Sequence, residues 1–188
     1  MSLAFLNQHA HSPRASGIVP DMSDDQLVAA LRNCSPLPDD ERVEAAAAIS
    51  NLLKQTRSNP VRNAAAIALT DLIGAAATDT IVDVLERPEM ASSAGSLLFA
   101  LNEVEARLRL DLVVDLIERG SLEAQGEALT FLEDARLQPF TPDILAAAGD
   151  RLSAMLNRAG DTKVAHAAEL AIAYLDDIAP ETSQRLEV

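Results

Sequence analysis

Three groupings of side chains stand at spacings that can do chemistry. His166 and Glu169 are three residues apart near the C-terminal end of the chain. On a helix that spacing puts an imidazole and a carboxylate on one face, where the pair can hold a metal or pass a proton. Both lie off the apolar stripe of Ala171, Ile172 and Leu175, so a solvent-facing ion pair worth about 0.2–0.5 kcal/mol is the reading adopted. His9 and His11 sit two apart in a polar N-terminal stretch with no third ligand nearby, which reads as a solvated arm. Cys34 is the single cysteine. No disulfide can form within the chain, no base lies near Cys34 in sequence, and it is expected to be a small packing residue.

The motifs that mark dedicated chemistry do not occur. There is no Cys-x-x-Cys, no His-Glu-x-x-His, no glycine loop shaped for phosphate and no Gly-x-Ser-x-Gly elbow. The sequence therefore assigns no catalytic residue, no metal ligand and no cofactor, and the chain is expected not to be an enzyme.

Helices are the elements that must position whatever the chain does present. Asn59 to Gly74 carries the clearest set of helix signals. Asn59 is expected to be the N-cap, Pro60 the first helical residue and Gly74 the stop, with Val61, Ala65, Ala68, Leu69 and Leu72 forming one apolar stripe. Upstream, Ser23-Asp-Asp-Gln26 is a capping box opening a short helix to about Asn33. A longer helix from Asp39 to about Thr56 is expected to bury Val43, Ala46, Ala47, Leu52 and Leu53. Downstream, the pattern predicts helices over 78–86 and 90–104, over 106–119 and 121–135, and over 142–158. A last helix is expected from Thr162 to about Ile178, stopping before Pro180. Residues 1–21 read as a poorly ordered arm, 22–179 as one helical domain and 180–188 as a tail.

Composition agrees with that class. Hydrophobic residues make up 48% of the chain but aromatic residues only 3%, with no Trp. A core of Ala, Leu, Val and Ile suits close-packed helices, and sustained alternation and tight hairpin turns are lacking. The fold class is all-α. With 29 acidic and 15 basic side chains the formal charge is −14. Such a surface repels nucleic acid and anionic membranes, so neither is an expected partner, whereas a basic protein is. No long apolar run and no charged secretory leader are evident, so no membrane span is expected, and the chain reads as cytoplasmic and, from its Ala-rich, aromatic-poor style, bacterial.

The second helices of successive pairs share a register. Ala68-Leu69 with Leu72 matches Ala100-Leu101 with Val104, Ala128-Leu129 with Leu132, and Ala171-Ile172 with Leu175. Four residues before each alanine stands another small one: Ala64, Ser96, Ala124 or Ala167. Small residues at that spacing let helix axes approach to about 8 Å, and the branched residues fill the groove beside them. Helical hairpins with two apolar faces must stack to hide both. This pattern resembles the HEAT-like (armadillo-type) repeat family over roughly residues 39–178, most sharply at Asn59-Pro-Val-Arg62. The resemblance implies a right-handed α-solenoid of about four antiparallel helix pairs behind a short N-terminal cap helix. The later repeats have Ala94, Leu122 and Ala165 where Arg62 stands, so the family's Arg ladder is missing. HEAT-like enzymes that use paired His-Glu dipeptides are excluded, because no such dipeptide occurs.

On that frame two surfaces stand out. Asp71, Glu103, Glu105, Glu133, Asp134, Asp176 and Asp177 fall within or just past the last turns of the second helices. Carboxylates there oppose the helix dipole at about 0.3–1 kcal/mol each, so local stability does not explain them. Stacking would gather them into an acidic edge. Asn63, Thr70, Asn102, Glu123, Glu127, Thr130, His166 and Glu169 would line the concave face, with Ala66 and Leu98 beside them. The function expected is a non-catalytic module, an interaction scaffold that binds a basic protein through the acidic edge and the concave face. The alternatives are a HEAT-like enzyme acting on nucleic acid, and an immunity or antitoxin-type inhibitor of a toxin.

Overall fold

The computed structural model describes residues 22–34, 37–158 and 162–185. All regular structure among them is helical: α1 (Asp24–Arg32), α2 (Asp39–Gln55), α3 (Asn59–Ile73), α4 (Thr78–Leu85), α5 (Gly95–Glu103), α6 (Leu110–Arg119), α7 (Leu122–Glu133), α8 (Pro142–Arg158) and α9 (Thr162–Arg185), with 3₁₀ turns at Gly74–Ala77 and Pro88–Ser93. The protein is all-α, with neighbouring helices packed on one another. The chain divides into two compact units, the first ending at Val84 and the second beginning at Leu85. The arm at 1–21, with His9 and His11, and the stop at Gly160 lie outside the described residues.

In the first unit α1 and α2 both pack on α3. The Ser23 box forms with both of its bonds, the Gln26 amide donating to the Ser23 hydroxyl and the Ser23 amide to the Gln26 side chain. At α3 the cap is Ser58 and not Asn59: its hydroxyl accepts from the Val61 amide, and Asn59 becomes the first helical residue. Ser58 takes the role because it stands three residues before Val61, within reach of that orphan donor. Gly74 ends α3 at φ 56°, a backbone state open to glycine at no steric cost. Val61, Ala65, Ala68, Leu69 and Leu72 are all buried as expected.

The face of α2 differs from the expectation. Ala45, Ala46, Ile49 and Leu53 form its buried side, Leu52 is half-buried, Ala47 is exposed and Val43 is 74% exposed. The stripe runs through Ala45, Ile49 and Leu53 at four-residue steps, so Val43 falls on the opposite side. Cys34 is buried, its thiol donates to the Leu31 carbonyl at 2.8 Å, and burial pushes its pKa up, all of which suits a packing residue. Asn59–Leu85, taken as one run, is long and apolar enough to cross a membrane by length and composition, contrary to the reading that no such run exists. Its buried members within α3 face the contact with α1 and α2.

In the second unit α7 packs on α5, α6 and α9, while α8 packs on α6 and α9. The four register alanines, Ala68, Ala100, Ala128 and Ala171, are at most 3% exposed. Of the small residues one turn before them, Ala124 and Ala167 are buried and Ala64 and Ser96 half-buried. Three boundaries move. The helix expected from Met90 opens as a 3₁₀ turn and becomes α-helical only at Gly95, after Pro88 withholds an amide. The helix expected from Ala106 begins at Leu110, because residues 106–109 are not helical and Leu108 is engaged in a bridge with Leu137. The last helix continues past Pro180 to Arg185, where an end near Ile178 was expected.

Two glycines of this unit behave oppositely. A Cβ on Gly120 would lie 2.3 Å from the Leu116 carbonyl oxygen and 2.9 Å from the Ala124 methyl, whereas one on Gly126, exposed within α7, would meet nothing within 4 Å. Gly126→Ala should therefore stabilise the protein by about 0.5–1 kcal/mol through helix propensity. Gly120→Ala should destabilise it by about 1–3 kcal/mol through overpacking at the α6–α7 corner. Urea denaturation of the two variants checks both signs.

Candidate functional site

Helices α5 and α7 end in the same way. The Ala106 amide donates to the Leu101 carbonyl and the Glu105 amide to the Asn102 carbonyl, both at 3.1 Å. At the end of α7, Arg136 donates to Phe131 at 2.9 Å and Ala135 to Leu132 at 3.0 Å. These are Schellman ends, and each turns on a non-glycine residue with positive φ: Glu105 at 52° and Ala135 at 50°. That conformation costs an L-residue about 1 kcal/mol, so the surrounding contacts must hold it.

The segments leaving the two ends supply that hold. Leu108 donates to the Arg136 carbonyl at 3.1 Å, and Gln138 donates to Leu108 at 2.8 Å, a parallel bridge between Leu108 and Leu137. Both leucines are buried. Arg136 completes the joint. Its guanidinium donates to the carbonyl and to the side-chain oxygen of Asn102, each at 2.9 Å, pairs with Asp134 at 2.7 Å and sits 5.1 Å above the Phe131 ring. Asn102 in turn donates to the Glu127 carboxylate at 2.7 Å.

This joint brings part of the expected acidic edge together. Glu103, Glu105, Glu133 and Asp134 are all exposed on two helix ends whose exit segments hydrogen-bond directly. Asp134 is engaged by Arg136, and the exposed Arg107 of the same joint donates to the Leu137 carbonyl. Asp176 and Asp177 are exposed on α9, and Asp71 is exposed on α3 in the other unit.

The residues assigned to the concave face have several different surroundings. Thr70 is buried and spends its hydroxyl on the Ala66 and Ile67 carbonyls, and Ala66 and Leu98 are buried too, so these three form core and not a binding face. Asn63 and Thr130 are half-buried. Asn102 and Glu127 are bonded to each other inside the joint, while Glu123, His166 and Glu169 are exposed. His166 Nδ1 lies 3.9 Å from Glu169, a loose pair with both side chains more than 60% exposed. Among the described residues, no group of three or more His, Cys, Asp or Glu is placed to hold a metal ion.

A second charged cluster, outside the residues expected from sequence, joins α6 to α8. Asp115 and Glu118 of α6 face Arg151 and Arg158 of α8: Arg151 bonds to both carboxylates, and Arg158 reaches Glu118 at 3.1 Å. The Arg151 hydrogen bond holds the Glu118 carboxyl below its ordinary pKa, against the opposing effect of burial. Beside this cluster lies a depression of about 320 Å³ between residues 85–88 and α6. Leu85, Leu112 and Leu116 form its apolar part, with Arg109, Arg119 and Asp115 around them. The signal for the cluster was present, since Asp115/Glu118 and Arg151/Arg158 each recur at helical spacing. The signal for the joint was the repeated Glu105-Ala-Arg-Leu108 and Asp134-Ala-Arg-Leu137.

Compared with known proteins, the chain matches no family model, no curated protein and no solved structure.

Two outcomes test the geometry. Arg136→Ala should cost about 2–3 kcal/mol, since it strips charge-assisted bonds from a side chain only 14% exposed. Arg136→Lys should restore less than half of that, because an ammonium cannot reproduce the fork to Asn102. Glu118 supplies the pH test. Its folded pKa is lowered, so its stabilising effect is complete above the ordinary carboxylate value of 4.5 and is lost as pH falls through the folded value. Glu118→Gln should flatten the acid limb of a plot of denaturation midpoint against pH, and leave its slope near neutrality unchanged.

Proposed function

We propose that this chain is a non-catalytic protein-binding module whose acidic helix ends capture a basic protein. The observation that carries this reading is the placement of Glu103 and Glu133, both exposed, on adjacent helix ends joined by the Leu108–Leu137 bridge. Carboxylates at the negative end of the helix dipole work against local stability, so their retention there is more economically explained by a partner. The overall charge of −14 adds a long-range field that steers a basic surface toward the edge.

In this reading the helix pairs stack as a HEAT-like α-solenoid. What supports it is that, in the second unit, each of α6 and α7 packs both on its sequence neighbour and on the helix two further on. The four buried register alanines support it as well. The exposed residues Glu123, His166 and Glu169 then belong to the concave docking face, and the protein acts in the cytoplasm.

The test is a salt-gradient elution of lysate proteins from the immobilised protein, compared with the Glu103→Gln/Glu133→Gln variant. Basic species retained by the parent should elute from the variant at clearly lower salt, while the melting midpoint stays the same or rises as dipole repulsion is relieved. Elution of the same species at unchanged salt would overturn the acidic-edge mechanism.

A further inference from the structure

A chain with four Phe, one Tyr and no Trp leaves one of those rings, Phe99 of α5, 44% exposed. A single exposed apolar residue needs no explanation by itself. The surroundings of Phe99 do. Four residues before it, the Glu123 side chain of α7 lies across Gly95, where an added Cβ would collide with it. Three residues after it, Asn102 donates to the Glu127 carboxylate of α7 at 2.7 Å. Positions 95, 99 and 102 share one side of α5, so Phe99 stands between the two points where carboxylates of α7 reach that helix. Glu103, four residues beyond Phe99, adds a third carboxylate one turn along the same helix.

These carboxylates are not balanced from within the chain. Glu103 and Glu123 are exposed and Glu127 is half-buried. Among the described residues none of the three is in an ion pair, whereas Asp115, Glu118 and Asp134 each hold an arginine. The Asn102 amide occupies one of the roughly four acceptor positions of Glu127 and leaves the others open. The chain also shows what a phenyl ring beside a carboxylate can hold. Arg136 lies 5.1 Å above the Phe131 ring and pairs with Asp134 at 2.7 Å. Phe99 repeats the phenyl and carboxylate parts of that arrangement at the surface, where a cation must come from another molecule. A guanidinium suits it better than an ammonium, since a planar group can lie on the ring while its edge N–H groups reach carboxylates on either side.

We propose that Phe99, with Glu103, Glu123 and Glu127 around it, is the docking site for an arginine side chain of a basic peptide segment. This rests on the reading of a basic partner and names one contact within it. The arginine is stacked as well as attracted, so its shape counts and not its charge alone.

Octa-arginine and octa-lysine are the probes, titrated into the full chain with the phenylalanine rings observed by NMR. Octa-arginine should shift the Phe99 ring saturably and bind about threefold tighter than octa-lysine. Phe99→Leu should weaken octa-arginine by about two- to fivefold at an unchanged salt dependence, because it removes the ring and leaves every charge. Phe99→Tyr should bind as the parent does. Glu123→Gln/Glu127→Gln should weaken binding and reduce its salt dependence together. Ring shifts confined to other phenylalanines would overturn the proposal. Binding that Glu133→Gln weakens and Phe99→Leu leaves unchanged would overturn it too, while the acidic helix ends stood as the docking site. No saturable binding of either peptide would overturn both readings.

Discussion

The second unit depends on one junction, where two helices end on left-handed residues and their exit segments bond to each other. Glu105 and Ala135 each adopt a backbone conformation that disfavours a side chain. Neither is held by its own helix alone. Leu108 donates to the Arg136 carbonyl and accepts from the Gln138 amide across the junction, and the Arg136 side chain ties the carbonyl end of α5 to the end of α7. Helix ends normally leave carbonyls for water to satisfy. Here the Schellman amides take up the last carbonyls, Arg136 adds a bond to that of Asn102, and the exit segments bond to each other, which fixes the direction of each exit. That fixed exit joins the two helix ends that carry Glu103 and Glu133.

The arginines of this unit divide by task. Arg136 is nearly buried and uses its planar fork to bind a carbonyl, an amide oxygen and a carboxylate at once. Arg151 bridges Asp115 and Glu118 across the α6–α8 contact. Arg109 and Arg119 remain half-exposed at the edge of an apolar depression. Each internal bridge takes up a cation and at least one carboxylate together, so the surface keeps the carboxylate excess that 29 acidic against 15 basic side chains sets.

The helical class and most helix positions were legible in the sequence because they rest on local signals. The Ser23 box, the Pro142 start and the Gly74 stop act within a turn or two of themselves. The register alanines were legible because burial of a small residue follows from its stripe. What was missed depends on distant partners. Residues 106–109 look helical by apolar spacing, yet Leu108 is drawn into a bridge with Leu137. Thr70 and Leu98 were placed on an open face by helical angle alone, but neighbouring helices bury both. Val43 shows a one-step error in stripe assignment on an Ala-rich helix, where Ala45, Ala46 and Ala47 give no contrast to choose between faces. Of the candidate site, the carboxylates at the helix ends were legible, and the arginine that organises them was not.

Amide hydrogen exchange at Leu108 and Gln138 tests the account most directly. Neither amide lies in a helix, so without the junction both would exchange at rates typical of exposed loops. If the exit segments bond as described, both should be protected to a degree comparable with Ile117 and Phe131 inside α6 and α7, and both should lose protection together in Arg136→Ala. Loop-like exchange at Leu108 and Gln138 in the parent protein would contradict the junction, and with it the shared acidic edge.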